Sequence, residues 1–75
     1  MEEKILQIIN QIRLNNGLER LNSININDDL RNNIGFNSFD LAELTVLIED
    51  EFDIDVFEDG IVNTVGEIFN KLKLV

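Results

Sequence analysis

Gly35-Phe36-Asn37-Ser38-Phe39-Asp40-Leu41-Ala42-Glu43-Leu44 is where a loop turns into a helix. Asn37 is a good N-cap, and Asp40 follows three residues later, as in a capping box. With Asn37 as the cap, Ser38 falls at the first helical position with its hydroxyl free. The backbone N–H groups of a helix start, and the positive end of its dipole, both favour an anion there. A serine so placed suits a covalent phosphate ester, and the segment reads first as an attachment point.

Downstream, the helix extends over residues 38–52. Leu41, Leu44, Ile48 and Phe52 share one face, with Thr45 beside them, and form the core stripe. Phe39, Ala42 and Val46 lie on a different side, flanked by Glu43, Glu49 and Asp50. Asp53-Ile54-Asp55-Val56 reads as an extended link. Residues 59–62 are expected to form one short helical turn, weakened by Gly60. Thr64-Val65-Gly66-Glu67 is a second capping box, opening a last helix with Val65, Ile68, Phe69 and Leu72 inward. Lys71 and Lys73 complement the dipole near its end.

Upstream, residues 2–15 read as the first helix, with Ile5, Ile8, Ile9 and Ile12 at the spacing of one buried face. Asn15-Asn16-Gly17 is a suitable stop. Residues 16–37 form a long Asn-rich connection punctuated by Leu18, Leu21, Ile24, Ile26, Leu30 and Ile34. A structureless loop of that length is uncommon in a compact domain. It is therefore expected to be pinned to the core, with one short turn near Asp28–Asn32. The fold class is all-α: a small antiparallel four-helix bundle, with three main helices, one short third helix and a long loop between the first two. The 75 residues are read as one domain, residues 1–75.

The bulk composition narrows the function. There is no Cys and no His, hence no disulfide framework, no thiolate metal site and little catalytic equipment. No enzyme activity and no metal are expected. Asp53, Asp55 and Glu58 invite a calcium reading, but in a loop counted from Glu51 the positions needing Gly and Glu hold Val56 and Val62. The formal charge is 6 − 15 = −9. From Asn32 to Asn70 there is no Lys or Arg, so nucleic acid is a poor partner. Partners should carry basic patches. No apolar run approaches the ~20 residues of a membrane span. Met1-Glu2-Glu3-Lys4 is acidic and unlike a signal peptide, so a cytoplasmic location is expected, and a monomer.

The ordered motifs resemble those of acyl carrier proteins. Residues 35–44 are similar to the family's "G-x-D-S-L-D-x-x-E-L", residues 48–56 to "L-E-E-E-F-x-I-x-I", Thr64-Val65-Gly66-Glu67 to "T-V-G-D", and Ile26 through Ile34-Gly35 to "I-x-x-x-x-x-L-x-x-x-L-G". The likeness spans nearly the whole chain in the right order. Asn37 stands where the family usually has Asp, and Phe39 where it has Leu. The stretch from Phe57 to Asn63 is shorter than usual and lacks the common proline.

The resemblance implies a covalent cofactor, 4′-phosphopantetheine, moved from coenzyme A onto Ser38 by a phosphopantetheinyl transferase. The arm ends in a thiol, which would let a chain without cysteine carry acyl intermediates as thioesters. It would deliver them to acyl-transfer and synthase enzymes of fatty acid, polyketide or related biosynthesis, whose basic docking patches meet the second helix. Asn37, Phe39, Asp40, Ala42, Glu43, Val46, Glu49 and Asp50 are the expected partner contacts. The alternative is an unmodified acidic helical module, a degenerate carrier that binds a basic protein.

Overall fold

A computed structural model describes residues 2–58 and 60–72. Three helices occur among them: α1 (Glu2–Asn15), α2 (Ser38–Phe52) and α3 (Val65–Leu72). There is no strand among the described residues, only an isolated antiparallel bridge between Asp29 and Thr64. Among the described residues, no helix is long and apolar enough to cross a membrane.

Each helix starts or stops where local chemistry dictates. Glu2 and Glu3 lie in the first turn of α1 and Arg13 in its last, which suits the dipole at both ends. Gly17 takes φ 79°, and the N–H groups of Gly17 and Leu18 donate to Leu14 O and Arg13 O at 3.1 and 2.9 Å. That is a Schellman stop, and it needs the left-handed backbone that glycine adopts without a Cβ clash. α2 ends at Asp53, itself left-handed (φ 59°, ψ 33°), whose N–H donates to Glu49 O at 2.8 Å. α3 opens on a reciprocal cap: Glu67 N–H donates to Thr64 Oγ1, and Thr64 N–H to Glu67 Oε2.

The apolar stripes meet in one core. Ile5, Ile8, Ile9 and Ile12 of α1, Leu41, Leu44 and Ile48 of α2, and Val65, Ile68, Phe69 and Leu72 of α3 are all buried. α1 and α2 pack directly on one another. Phe52 is only half-buried at the end of its stripe. Lys4 and Glu51 form an exposed ion pair at 3.0 Å, which contributes little to stability.

The long connection is pinned as expected, by most of the apolar residues that punctuate it and by Phe36. Leu30, Ile34 and Phe36 are buried and Leu21 and Ile24 half-buried, while Leu18 and Ile26 stay exposed. Its turn lies over residues 30–33 and is organised by Asp29. The Asp29 carboxylate accepts from the N–H groups of Arg31 and Asn32, and Asp29 N–H donates to Asn33 Oδ1. The N–H of Asn32 first, then that of Arg31, hold this carboxyl below its ordinary value. A depressed carboxyl stabilises above its unfolded pKa, and that contribution is lost as pH falls through the lowered one. Acid should therefore weaken the two bonds that the Asp29 carboxylate accepts, while the backbone bonds of the turn and the buried Leu30 and Ile34 remain.

This loop also closes the start of α3. Val65 N–H donates to Asp28 O at 3.0 Å, and Gly66 N–H to Ile26 O at 2.9 Å. Two amides that a helix start leaves without partners are thus satisfied by backbone from far upstream. Leu30 N–H adds a bond to Asn63 O at 2.8 Å. A Cβ on Gly66 would sit 2.8 Å from Ile26 O and 3.3 Å from Ile26 Cβ, so nothing larger than glycine fits this approach. Gly66→Ala is expected to cost about 1–3 kcal/mol in urea denaturation, since loop and α3 must move apart. A change within a few tenths of a kcal/mol would mean that the two segments separate freely.

Among the described residues, the expected short third helix is absent. Residues 56–58 form a turn, Phe57 N–H bonds to Asp55 Oδ1, and Gly60 N–H to Phe57 O. Gly60 has φ 134°, outside any helix, and residues 61–63 are irregular. Asp55 offers the backbone a local side-chain acceptor in place of a helical one, and Gly60 then turns the chain. Val56 and Val62 are buried and fix the segment to the core from both sides. Of that expected turn, Asp59 lies outside the described residues, as does Lys73 at the end of α3.

Candidate functional site at the start of α2

The capping box at Asn37 forms in full. Asn37 Oδ1 accepts from Asp40 N–H, and Asp40 Oδ2 accepts from Asn37 N–H, both at 2.9 Å. Ser38 therefore begins α2 with its side chain exposed and uninvolved in capping. The amides of Ser38 and Phe39 precede any possible intrahelical acceptor, so the helix start presents N–H groups beside the hydroxyl. Among the described residues, the side chain that bonds to Ser38 Oγ is that of Arg31, whose Nη2 lies 3.5 Å away.

The approach to Ser38 is held from behind. Phe36 is buried, and its N–H donates to Leu30 O at 2.9 Å. Gly35 takes φ 87°, and a Cβ placed on it would lie 3.7 Å from Arg13 Nη1. Arg13 ties together both ends of the long loop: its Nε donates to Glu19 O and its Nη1 to Ile34 O. Asn16 Nδ2 donates to Asp40 Oδ1 at 2.9 Å, joining the end of α1 to the cap of α2. The serine thus stands on a braced corner, with its oxygen outward.

Asp40 departs from its expected role. It is only 6% exposed, and both carboxylate oxygens accept hydrogen bonds, so it is part of the brace and not of an exposed contact surface. Asn37 is exposed, but its amide oxygen is occupied by the cap. Phe39 is 87% exposed and Val46 58%, an unusual display for large apolar groups. Ala42, Glu43, Glu49 and Asp50 are exposed with them.

Beside Ser38 lies a shallow depression of about 220 Å³, lined by Arg31, Ser38, Leu41, Ala42, Phe57 and Ile61. Its walls are mostly apolar, and Ile61 is 73% exposed at its edge. Sequence reasoning missed Arg31, Phe57 and Ile61 here. The lone signal for Arg31 was its position as the last cation before a stretch without any.

A group joined through a phosphodiester fits this corner. It needs an exposed hydroxyl, room for a chain to leave, and surroundings that tolerate a negative charge. Ser38 Oγ, the adjoining depression and the Arg31 guanidinium with the helix N–H groups meet those needs in turn.

Searches of the curated proteins and of the solved structures each returned no significant match. A family model does match: phosphopantetheine attachment site, over residues 4–70. Proteins of this family are non-catalytic carriers that hold a covalent 4′-phosphopantetheine group. They interact with phosphopantetheinyl transferases and with acyl-handling enzymes. The match takes in all of α2 and most of α1 and α3. On that span, and not on the serine alone, the chain belongs to the phosphopantetheine attachment-site family of carrier proteins.

Proposed function

We propose that Ser38 is the attachment point, and that the chain carries acyl intermediates as thioesters on the arm, for enzymes of fatty acid, polyketide or related acyl biosynthesis. The observation that carries this reading is the exposed Ser38 hydroxyl at the first residue of α2, relieved of capping by Asn37. When bound, the arm supplies the thiol that this sequence lacks. The protein supplies a fixed anchor and a surface that partners recognise.

That surface is the outer side of α2. Phe39, Ala42 and Val46 form its apolar centre, with Glu43, Glu49 and Asp50 as an acidic rim. A carrier must meet several enzymes and leave each quickly. Long-range attraction between this rim and basic patches speeds encounter without requiring a large dry interface.

Intact mass tests the reading. After incubation with coenzyme A, magnesium and a broad-range transferase, the protein should gain the mass of one arm, and Ser38→Ala should gain none. If several transferases leave the wild-type chain bare, the unmodified acidic module becomes the better description. Gain of the arm by Ser38→Ala would place the attachment elsewhere.

A further inference from the structure

Attachment at Ser38 would add a phosphodiester to a chain whose formal charge is already −9. The local sequence offers little to offset it, because no Lys or Arg occurs from Asn32 to Asn70. Upstream, Arg13 is held by the backbone carbonyls of Glu19 and Ile34. Arg31 is differently placed. Its backbone is fixed, since its N–H donates to Asp29 Oδ1 at 2.8 Å in the turn that Asp29 organises. Its guanidinium reaches over the start of α2 and forms no ion pair within 4 Å among the described residues, although the exposed Asp29 carboxylate is near enough to attract it.

The Nη2 to Oγ distance of 3.5 Å is long for a hydrogen bond, and Ser38 Oγ is a neutral partner for a cation. A phosphorus bonded to Oγ would carry, one bond further out, two non-bridging oxygens that share one negative charge. Those oxygens can close the gap and present the paired acceptors that a guanidinium fork matches. The apolar floor of Leu41, Ala42, Phe57 and Ile61 keeps water from one side, which strengthens such a pair.

We propose that Arg31 is a positioning residue for the arm: its guanidinium pairs with the phosphodiester formed on Ser38 and holds the root of the arm against the start of α2. This rests on Ser38 being the attachment point. The tip stays free to travel, while the root keeps one direction.

The test compares wild type, Arg31→Gln and Arg31→Lys, each before and after loading by excess transferase and purification to a single mass. The unloaded form of each variant is its own reference, so any effect of the substitution on folding cancels. At low salt, the change in melting temperature on loading should be about 2–4 °C less favourable for Arg31→Gln than for wild type. Arg31→Lys, with charge but no fork, should fall between them. The phosphorus resonance of the loaded wild type should move as ionic strength rises to about 1 M, where screening acts within about 3 Å, and that of Arg31→Gln should not. Equal melting changes and superimposable phosphorus spectra in all three would overturn the pairing while leaving attachment intact. A wild-type chain that no transferase loads would instead remove the attachment reading, and this inference with it.

Discussion

Leu44→Ala is expected to lower stability by about 3–5 kcal/mol, the largest effect of any single truncation proposed for this chain. Leu44 is fully buried at the middle of α2, in a core cluster to which all three helices contribute. Shortening it removes the transfer energy of the lost methyl groups and leaves a hole. Its neighbours are fixed on separate elements, so they cannot all close in. A 75-residue domain has about 4–11 kcal/mol in total, so much of the margin goes. Urea denaturation followed by circular dichroism measures this directly. A loss under about 1 kcal/mol would mean that the core collapses round the gap and is looser than its burial suggests.

Asn10→Ala comes next, at about 2–4 kcal/mol. Asn10 sits among the isoleucines of α1 and is only 4% exposed. Its amide pairs with the backbone of Leu21 in both directions: Nδ2 donates to Leu21 O at 2.9 Å, and Leu21 N–H donates to Oδ1 at 2.7 Å. Alanine would strand a donor and an acceptor of the loop where water enters poorly, a larger penalty than the bonds alone are worth. Asn10→Asp should be harmful too, since a carboxylate cannot donate to Leu21 O. Hydrogen exchange gives a local readout: the Leu21 amide should lose protection before the middle of α2 does. Unchanged protection at Leu21 would show that the loop is held there by packing instead.

What could be read from the sequence divides along a physical line. The limits of α1 and α2, and the opening of α3, were legible because each is set by residues within a few positions: a cap at Asn37, a stop at Gly17, a box at Thr64 and Glu67. The exposed hydroxyl of Ser38 followed from the same local logic. The missing third helix was misread because Asp55 and Gly60 can serve either a frayed helix or a turn, and only the seating of Val56 and Val62 decides. Asp40 shows the limit for the site. An acid three residues past an N-cap is both a cap partner and a surface charge until Asn16, just past the end of α1, closes over it. Arg31 was beyond reach for the same reason, as seven residues of chain separate it from Ser38 and only the loop's path brings them together.

The bonds from residues 26–30 to residues 63–66 have a consequence for how the molecule assembles. Arg31 directly follows that seam, so its aim is decided partly by a helix near the other end of the chain. Such distant pairing is slow to find, because a long stretch must close before any reward arrives. A nascent chain would therefore finish α2 before the guanidinium beside it is steady, and trimming the last helix would blur the tether's root without touching a single residue near it.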